Sequence, residues 1–287
     1  MLARIKDELK KAGANVFKFV LYHDGSWSEE TLIPTCPCLN CYSLSKNFTA
    51  TAIGIAQDMG LLTVEDPIID FFPDELPSNM DEKLPRVKVR HLLTQTMGIE
   101  EGFLFEDDRY THGTDDWVRL VLSRQLKFEP GERFAYSNST YYLLSCIIRR
   151  VSGLTTELFL KKNLFPQLGI MDMAWETCPR GDTMGATGLY MSTADIAKLG
   201  VLYLNGGMWQ GKQLLSEHWV REAIAAHPAG YDGPQYGYGF WVNDIGFRGG
   251  GAHSQIILVV PNKGLVFAAH SYEDSINFTG IVKKCLC

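Results

Sequence analysis

Ser43-Leu44-Ser45-Lys46 sets a hydroxyl and an amine three residues apart. On a helix that spacing is one turn, so the two side chains share a face and can hydrogen-bond. A serine hydroxyl is a poor nucleophile until a neighbouring base takes its proton, and a lysine is that base only when burial or a second cation lowers its pKa. The spacing by itself carries little weight, because Ser-x-x-Lys arises about once by chance in a chain of this length. Taken alone it equally describes a serine N-cap followed by a lysine laid along the helix surface.

Two further segments carry the chemistry forward. Tyr136-Ser137-Asn138 follows a Pro130-Gly131 turn and opens an apolar helix, which sets Tyr136 and Asn138 at a loop-to-helix junction. A tyrosine beside a lysine ammonium, its pKa lowered, can relay a proton to a leaving group, and an asparagine amide can bridge Lys46 and a substrate carbonyl. A second Tyr-x-Asn, at Tyr203 and Asn205, falls at a helix end and is read as coincidence. Near the end of the chain, Arg248-Gly249-Gly250-Gly251-Ala252-His253-Ser254-Gln255 precedes a strand over 256–260. Its glycines let a substrate approach a strand edge, where backbone N–H groups near Gly251 and Ala252 would join that of Ser43 in an oxyanion hole. A tight hairpin turn without a ligand is the plainer alternative. Arg248 and His253 are candidates for a substrate carboxylate. Tyr231, Tyr236, Tyr238, Phe240 and Trp241 would wall an acyl pocket or simply pack the core.

The elements that must hold these residues follow from periodicity. Residues 2–12 repeat apolar positions at helical spacing, and 16–23 read as a strand ending in an Asp24-Gly25 turn, the start of a hairpin. From Ser43 to Leu62 apolar residues occupy nearly every face, Met59 and Leu61 among them, as a buried central helix requires. Helices are expected over 115–126, 137–152 with Gly153 as its cap, and 156–168, then after Ser192 and after Ser216. Strands are expected over 237–242, 254–260 and 264–269, with a last helix near the carboxyl end. The fold class is therefore α/β in the α+β sense: an antiparallel sheet built from both ends of the chain, flanked by helices, with an inserted mainly helical part.

Composition narrows the partners. The 287 residues are 46% hydrophobic, enough for a substantial core, and the net charge of −6 disfavours nucleic acid or an anionic membrane. The amphipathic, charged start lacks the apolar run of a secretory signal, and no stretch of about 20 apolar residues occurs, so a cytoplasmic, membrane-free protein is expected. Of the seven cysteines, Cys36, Cys38 and Cys41 cluster, Cys285 and Cys287 lie near the end, and Cys146 and Cys178 stand alone. An odd set argues against a disulfide framework. The cluster lacks the spacing of zinc knuckles and a nearby histidine, so no metal and no cofactor is expected.

In this order and rough spacing, Ser43-x-x-Lys46, Tyr136-x-Asn138 and the glycine-rich segment resemble the penicillin-recognising serine hydrolases. The closest resemblance is to the class C β-lactamase-like branch, with family VIII esterases and D-amino-acid peptidases. Segments 90–98, 164–169 and 185–195 extend the likeness over almost the whole chain. It implies a β-lactamase/transpeptidase-like fold and an acyl-enzyme on Ser43. Residues 1–65 with 186–287 would form a sheet-and-helix domain and 66–185 a helical one, with the active site in the cleft between them. The expected substrate is a small ester, amide or peptide, and the expected state a monomer or weak homo-oligomer. β-Lactamase or D-amino-acid carboxypeptidase activity is the alternative, and a non-catalytic ligand-binding relative a further one. Where lactamases carry Lys-Thr-Gly, this chain has Arg248-Gly-Gly-Gly, which shifts the expectation from β-lactams toward esters and amides.

Overall fold

A computed structural model describes residues 1–227, 229 and 235–286, so Tyr231 and Cys287 lie outside the described residues. Six antiparallel strands form the main sheet: β1 (Val16–His23), β2 (Ser26–Thr31), β3 (Trp241–Asn243), β4 (Gly246–Gly251), β5 (Gln255–Val260) and β6 (Leu265–Ser271). Their order is β2-β1-β6-β5-β4-β3. The amino-terminal hairpin thus docks on the last strand, with Phe19 opposite Ala269. Asp24 and Gly25 close that hairpin with φ of 46° and 83°, the paired left-handed conformation that suits the twist of two-residue turns.

The helices that position the site are α1 (Leu2–Lys11), α2 (Ser45–Asp58), α3 (Asn138–Ser152), α4 (Thr193–Leu204) and α5 (Phe278–Cys285). β5 shows no polar alternation because both sheet faces are covered. Ile256, Leu258 and Val260 pack with Phe19, Phe267, Ile5 of α1 and Phe278 of α5, while Ile257 and Val259 face the main core. Gly200 lets α4 lie directly on that second face: a Cβ there would stand 2.6 Å from Val266 Cγ1. Among the described residues no helix is long and apolar enough to cross a membrane.

Three expectations are corrected. The central helix begins with a 3₁₀ turn over Tyr42–Leu44 and ends at Asp58, leaving Met59 and Leu61 at the surface. Gly60, at φ 72°, ends it, and the Leu61 N–H returns to the Ala56 carbonyl. The helix expected over 156–168 breaks into Thr156–Asn163 and Phe165–Leu168, because Pro166 cannot donate back into a continuous helix. The glycine-rich segment is a strand of its own, β4, paired with β5 from Phe247–Val259 to Gly251–Gln255.

A small sheet joins Leu39–Asn40 to Leu189–Met191 and the latter to Met173–Trp175. It fixes the approach to Ser43: the Cys41 N–H donates to the Leu189 carbonyl at 2.7 Å.

Candidate active site

Ser43 sits in the 3₁₀ turn just ahead of α2, immediately after Tyr42, which is held at φ 47°. Left-handed backbone at a non-glycine residue is costly and persists where surrounding bonds impose it. Here the Asn40 Oδ1 accepts from the Tyr42 N–H at 2.8 Å, and Ser45 Oγ donates to the Tyr42 carbonyl at 2.6 Å.

Lys46 lies one turn on and is fully buried. Its Nζ is 3.1 Å from Ser43 Oγ, 2.6 Å from Asn138 Oδ1 and 3.0 Å from the Ala186 carbonyl oxygen. Burial pushes the Lys46 pKa down to about 7. A neutral amine has two hydrogens and one lone pair. Asn138 and Ala186 accept the two hydrogens, so the lone pair is left facing the Ser43 hydroxyl.

Asn138 is the first residue of α3, and its Nδ2 donates to the Leu104 carbonyl at 3.1 Å. The amide was expected to bridge Lys46 and a substrate carbonyl: its oxygen does meet Lys46, while its nitrogen donates to the Leu104 carbonyl. Ser137, whose Oγ accepts from the Ser139 N–H, caps the helix.

Tyr136 presents its ring 4.8 Å from Lys46 Nζ. Its pKa moves opposite to expectation: burial pushes it up to about 12, against the smaller downward pull of the Ser43 hydroxyl and the Arg248 guanidinium. Near neutral pH Lys46 can thus give up its proton readily, whereas Tyr136 keeps its own.

β4 runs beside this group. A Cβ on Gly251 would stand 2.3 Å from the Cys41 carbonyl oxygen, and one on Gly249 2.3 Å from Asn47 Oδ1, so only glycine admits the strand so close. β3 pairs with β4 only as far as Arg248, opposite Trp241, and leaves the outer edge of residues 249–251 without a strand partner among the described residues. An open cleft of about 480 Å³ borders this edge, lined by Ser43, Tyr136, Trp241, Arg248, Gly251 and His253 among others. Gly250 and Ala252 line it too.

The other predicted residues separate. Arg248 stacks over the Trp241 ring, Cζ 5.7 Å from its centroid. His253, at φ 55°, is wedged between Tyr272, stacked at 4.5 Å, and the edge of Tyr42. Its turn is braced by Gln255 Nε2, which donates to the carbonyls of Ala252, His253 and Ser271. Of the described aromatic residues, Trp241 lines the cleft and Tyr236 packs behind it. Tyr238 and Phe240 pack elsewhere, against Trp219 and Tyr203. Cys36, Cys38 and Cys41 are free, and among the described residues no three His, Cys, Asp or Glu side chains stand where they could hold a metal ion. Burial drives the Cys41 thiol pKa upward, far from a thiolate at neutral pH. The carbonyls of Ala186 and Leu104 went unpredicted, since a backbone acceptor leaves no side-chain signature.

A sequence model of the family described as Beta-lactamase matches residues 30–278. The chain belongs to the beta-lactamase family. Membership agrees with the serine-hydrolase resemblance seen in Ser43-x-x-Lys46. Penicillin-binding protein 4* of Bacillus subtilis is 31% identical over 161 residues, which cover 53% of this chain and 34% of that protein. The match thus spans about a third of that relative's length. Among solved structures, a putative 6-aminohexanoate-dimer hydrolase from Bacillus anthracis superposes with a TM-score of 0.81 at 18% identity, covering 98% of this chain and 80% of that one. A D-stereospecific amidohydrolase from Streptomyces gives 0.76 at 19% identity, covering 99% and 97%. At these identities the likeness shows the fold, a mixed β-lactamase/transpeptidase type.

Proposed function

We propose that this chain is a metal-independent serine hydrolase that cleaves a small ester or amide through an acyl-enzyme on Ser43. The observation that carries the reading is the Lys46 amine, buried without a carboxylate partner among the described residues and hydrogen-bonded so that its lone pair meets the nucleophile.

In this mechanism Lys46 takes the Ser43 proton as Oγ attacks the substrate carbonyl. The negative oxygen is held by the N–H groups of Ser43 and Gly251. The proton on Lys46 passes through Tyr136 to the departing alkoxide or amine as the acyl bond to it breaks. A water molecule, deprotonated by the same pair, then attacks the acyl-enzyme and releases the acid, returning the proton to Ser43. Arg248 offers its charge to a carboxylate on the leaving side. The reading treats 1–65 with 186–287 as one domain and 66–185 as the other. Ser43, Lys46 and Arg248 belong to the first and Tyr136 and Asn138 to the second, in support of a site between them.

The test is labelling of pure protein with a fluorophosphonate probe, followed by peptide mass spectrometry. The adduct is expected on Ser43 and absent in Ser43→Ala. An adduct on another serine, or none, sinks the assignment.

A further inference from the structure

Arg248 lines the cleft with Ser43, and Glu106 lies just outside that lining, bonded to Thr187; neither has a counter-charge among the described residues. Arg248 contacts the Trp241 ring and lies near the Tyr136 hydroxyl, with no carboxylate paired to it. Glu106 accepts a hydrogen bond from Thr187 Oγ1 at 3.3 Å and makes no ion pair. The nearest candidate cation on its own segment, Arg109, is already bound to Glu176 at 3.0 Å. Glu176 also accepts from the Tyr190 hydroxyl, so that carboxylate is compensated where Glu106 is not.

Three links fix Glu106 beside the site. Thr187, itself buried, follows Ala186, whose carbonyl accepts from Lys46. Leu104, two residues before Glu106, holds Asn138 through its carbonyl. The Tyr42 phenol, next to Ser43, is raised in pKa by burial and then by the Glu106 charge. Glu106 therefore stands at the Lys46–Ala186 side and Arg248 at the Tyr136 side. Tyr136 delivers the leaving group's proton, so its side is the leaving side and the Glu106 side receives the acyl chain.

Resting on the serine-hydrolase reading above, we infer that Glu106 is a specificity-determining residue that takes a protonated amine on the acyl portion of the substrate. With Arg248 facing a carboxylate on the leaving portion, the matching substrate class is a zwitterionic, peptide-like amide. An ammonium set against a carboxylate that Thr187 already orients gains a charge-assisted hydrogen bond with little ordering cost.

The experiment compares kcat/KM for D-alanyl, β-alanyl and ε-aminocaproyl p-nitroanilides with that for their N-acetylated counterparts at neutral pH. p-Nitrophenyl butyrate is run in parallel on wild type and Ser43→Ala. At least one free amine is expected to be preferred by about tenfold, the size of one well-placed charge contact. In Glu106→Gln that preference ratio is expected to fall toward one, and Glu106→Asp to keep part of it. Glu106 is exposed, so folding is not at issue in these variants. Acetylated substrates cleaved as well as every free amine, no cleavage of any anilide, or an unchanged ratio in Glu106→Gln overturns the inference while Ser43-dependent ester turnover leaves the hydrolase reading intact. Loss of ester turnover and of Ser43 labelling together overturns both.

Discussion

Gly251 of β4 lies so close to Cys41 that a methyl group on its Cα would stand 2.3 Å from the Cys41 carbonyl oxygen and 3.1 Å from Tyr42 Cβ. The strand edge and the turn bearing Ser43 are thus held at a spacing set by one absent side chain. Gly251→Ala is expected to destabilise the fold by about 1–3 kcal/mol and to lower kcat/KM by about 100-fold, since one oxyanion donor is displaced. Gly250→Ala is the control: its Cβ would meet the far end of the Arg248 side chain at 2.9 Å and the Gln255 carbonyl oxygen at 3.7 Å, an ordinary contact. Thermal melts and ester kinetics on both variants check this, and equal losses in the two would refute the spacing argument.

Lys46→Ala and Tyr136→Phe are each expected to lower turnover by about 100-fold or more, the usual weight of a general acid or base. Because Lys46 must be unprotonated to act, activity should fall as pH drops through about 7. With Tyr136 pushed up to about 12, no opposing alkaline limb is expected until that region. Tyr136→Phe should keep the acid limb, which belongs to Lys46. A pH profile of kcat/KM decides the matter, and an acid limb displaced to the ordinary carboxylate range would assign the base elsewhere. Chelators should leave the rates unchanged.

Stability should record the same buried amine. Folding takes Lys46 from the usual 10.5 to about 7, so the folded state holds its proton less tightly. The resulting penalty is fully present below pH 7 and relieved as pH rises toward 10.5. The stability of wild type relative to Lys46→Met should therefore improve across that window. Denaturant midpoints at matched pH values measure it; a difference that stays flat would mean that Lys46 is solvated in the folded protein.

Short-chain esters should be turned over faster than cephalosporins. A β-lactam's departing amine stays tethered in the site, so its hydrolysis needs a close proton relay and a firm hold on the ligand carboxylate. Arg248, stacked on Trp241, offers guanidinium geometry where an ammonium would act as a point charge. The comparison is kcat/KM for p-nitrophenyl butyrate beside a chromogenic cephalosporin, and a cephalosporin value equal or higher would restore the β-lactamase reading.

Much of this architecture was legible because it rests on local signals. The Asp24-Gly25 turn, the cap at Gly153 and the serines ahead of the helices at Thr193 and Glu217 are each specified within a few residues. The Ser43–Lys46 contact needed only helical periodicity. What stayed hidden depends on distant partners. Gly246–Gly251 has poor strand propensity and becomes a strand because β5 pairs with residues 247–251 and β3 with residues 246–248. The direction of the Tyr136 shift depends on burial beneath Trp241 and Tyr236, which no neighbour in sequence reveals. Thr187 and Glu106 meet across the fold, and nothing near either one announces the other.

The pairing of Phe19 with Ala269 also governs the order in which the molecule can assemble. A growing chain presents Ser43, Lys46 and Tyr136 long before β4, β5 and β6 are synthesised, so the nucleophile exists for a time without the strand edge beside it. The first hairpin must likewise wait for β6, a closure spanning almost the whole chain, and such distant contacts form slowly. Once made and until β6 closes on the first hairpin, the apolar runs of β5 and β6 are uncovered, which makes the end of synthesis, after Gln255, the interval in which self-association competes most strongly with folding.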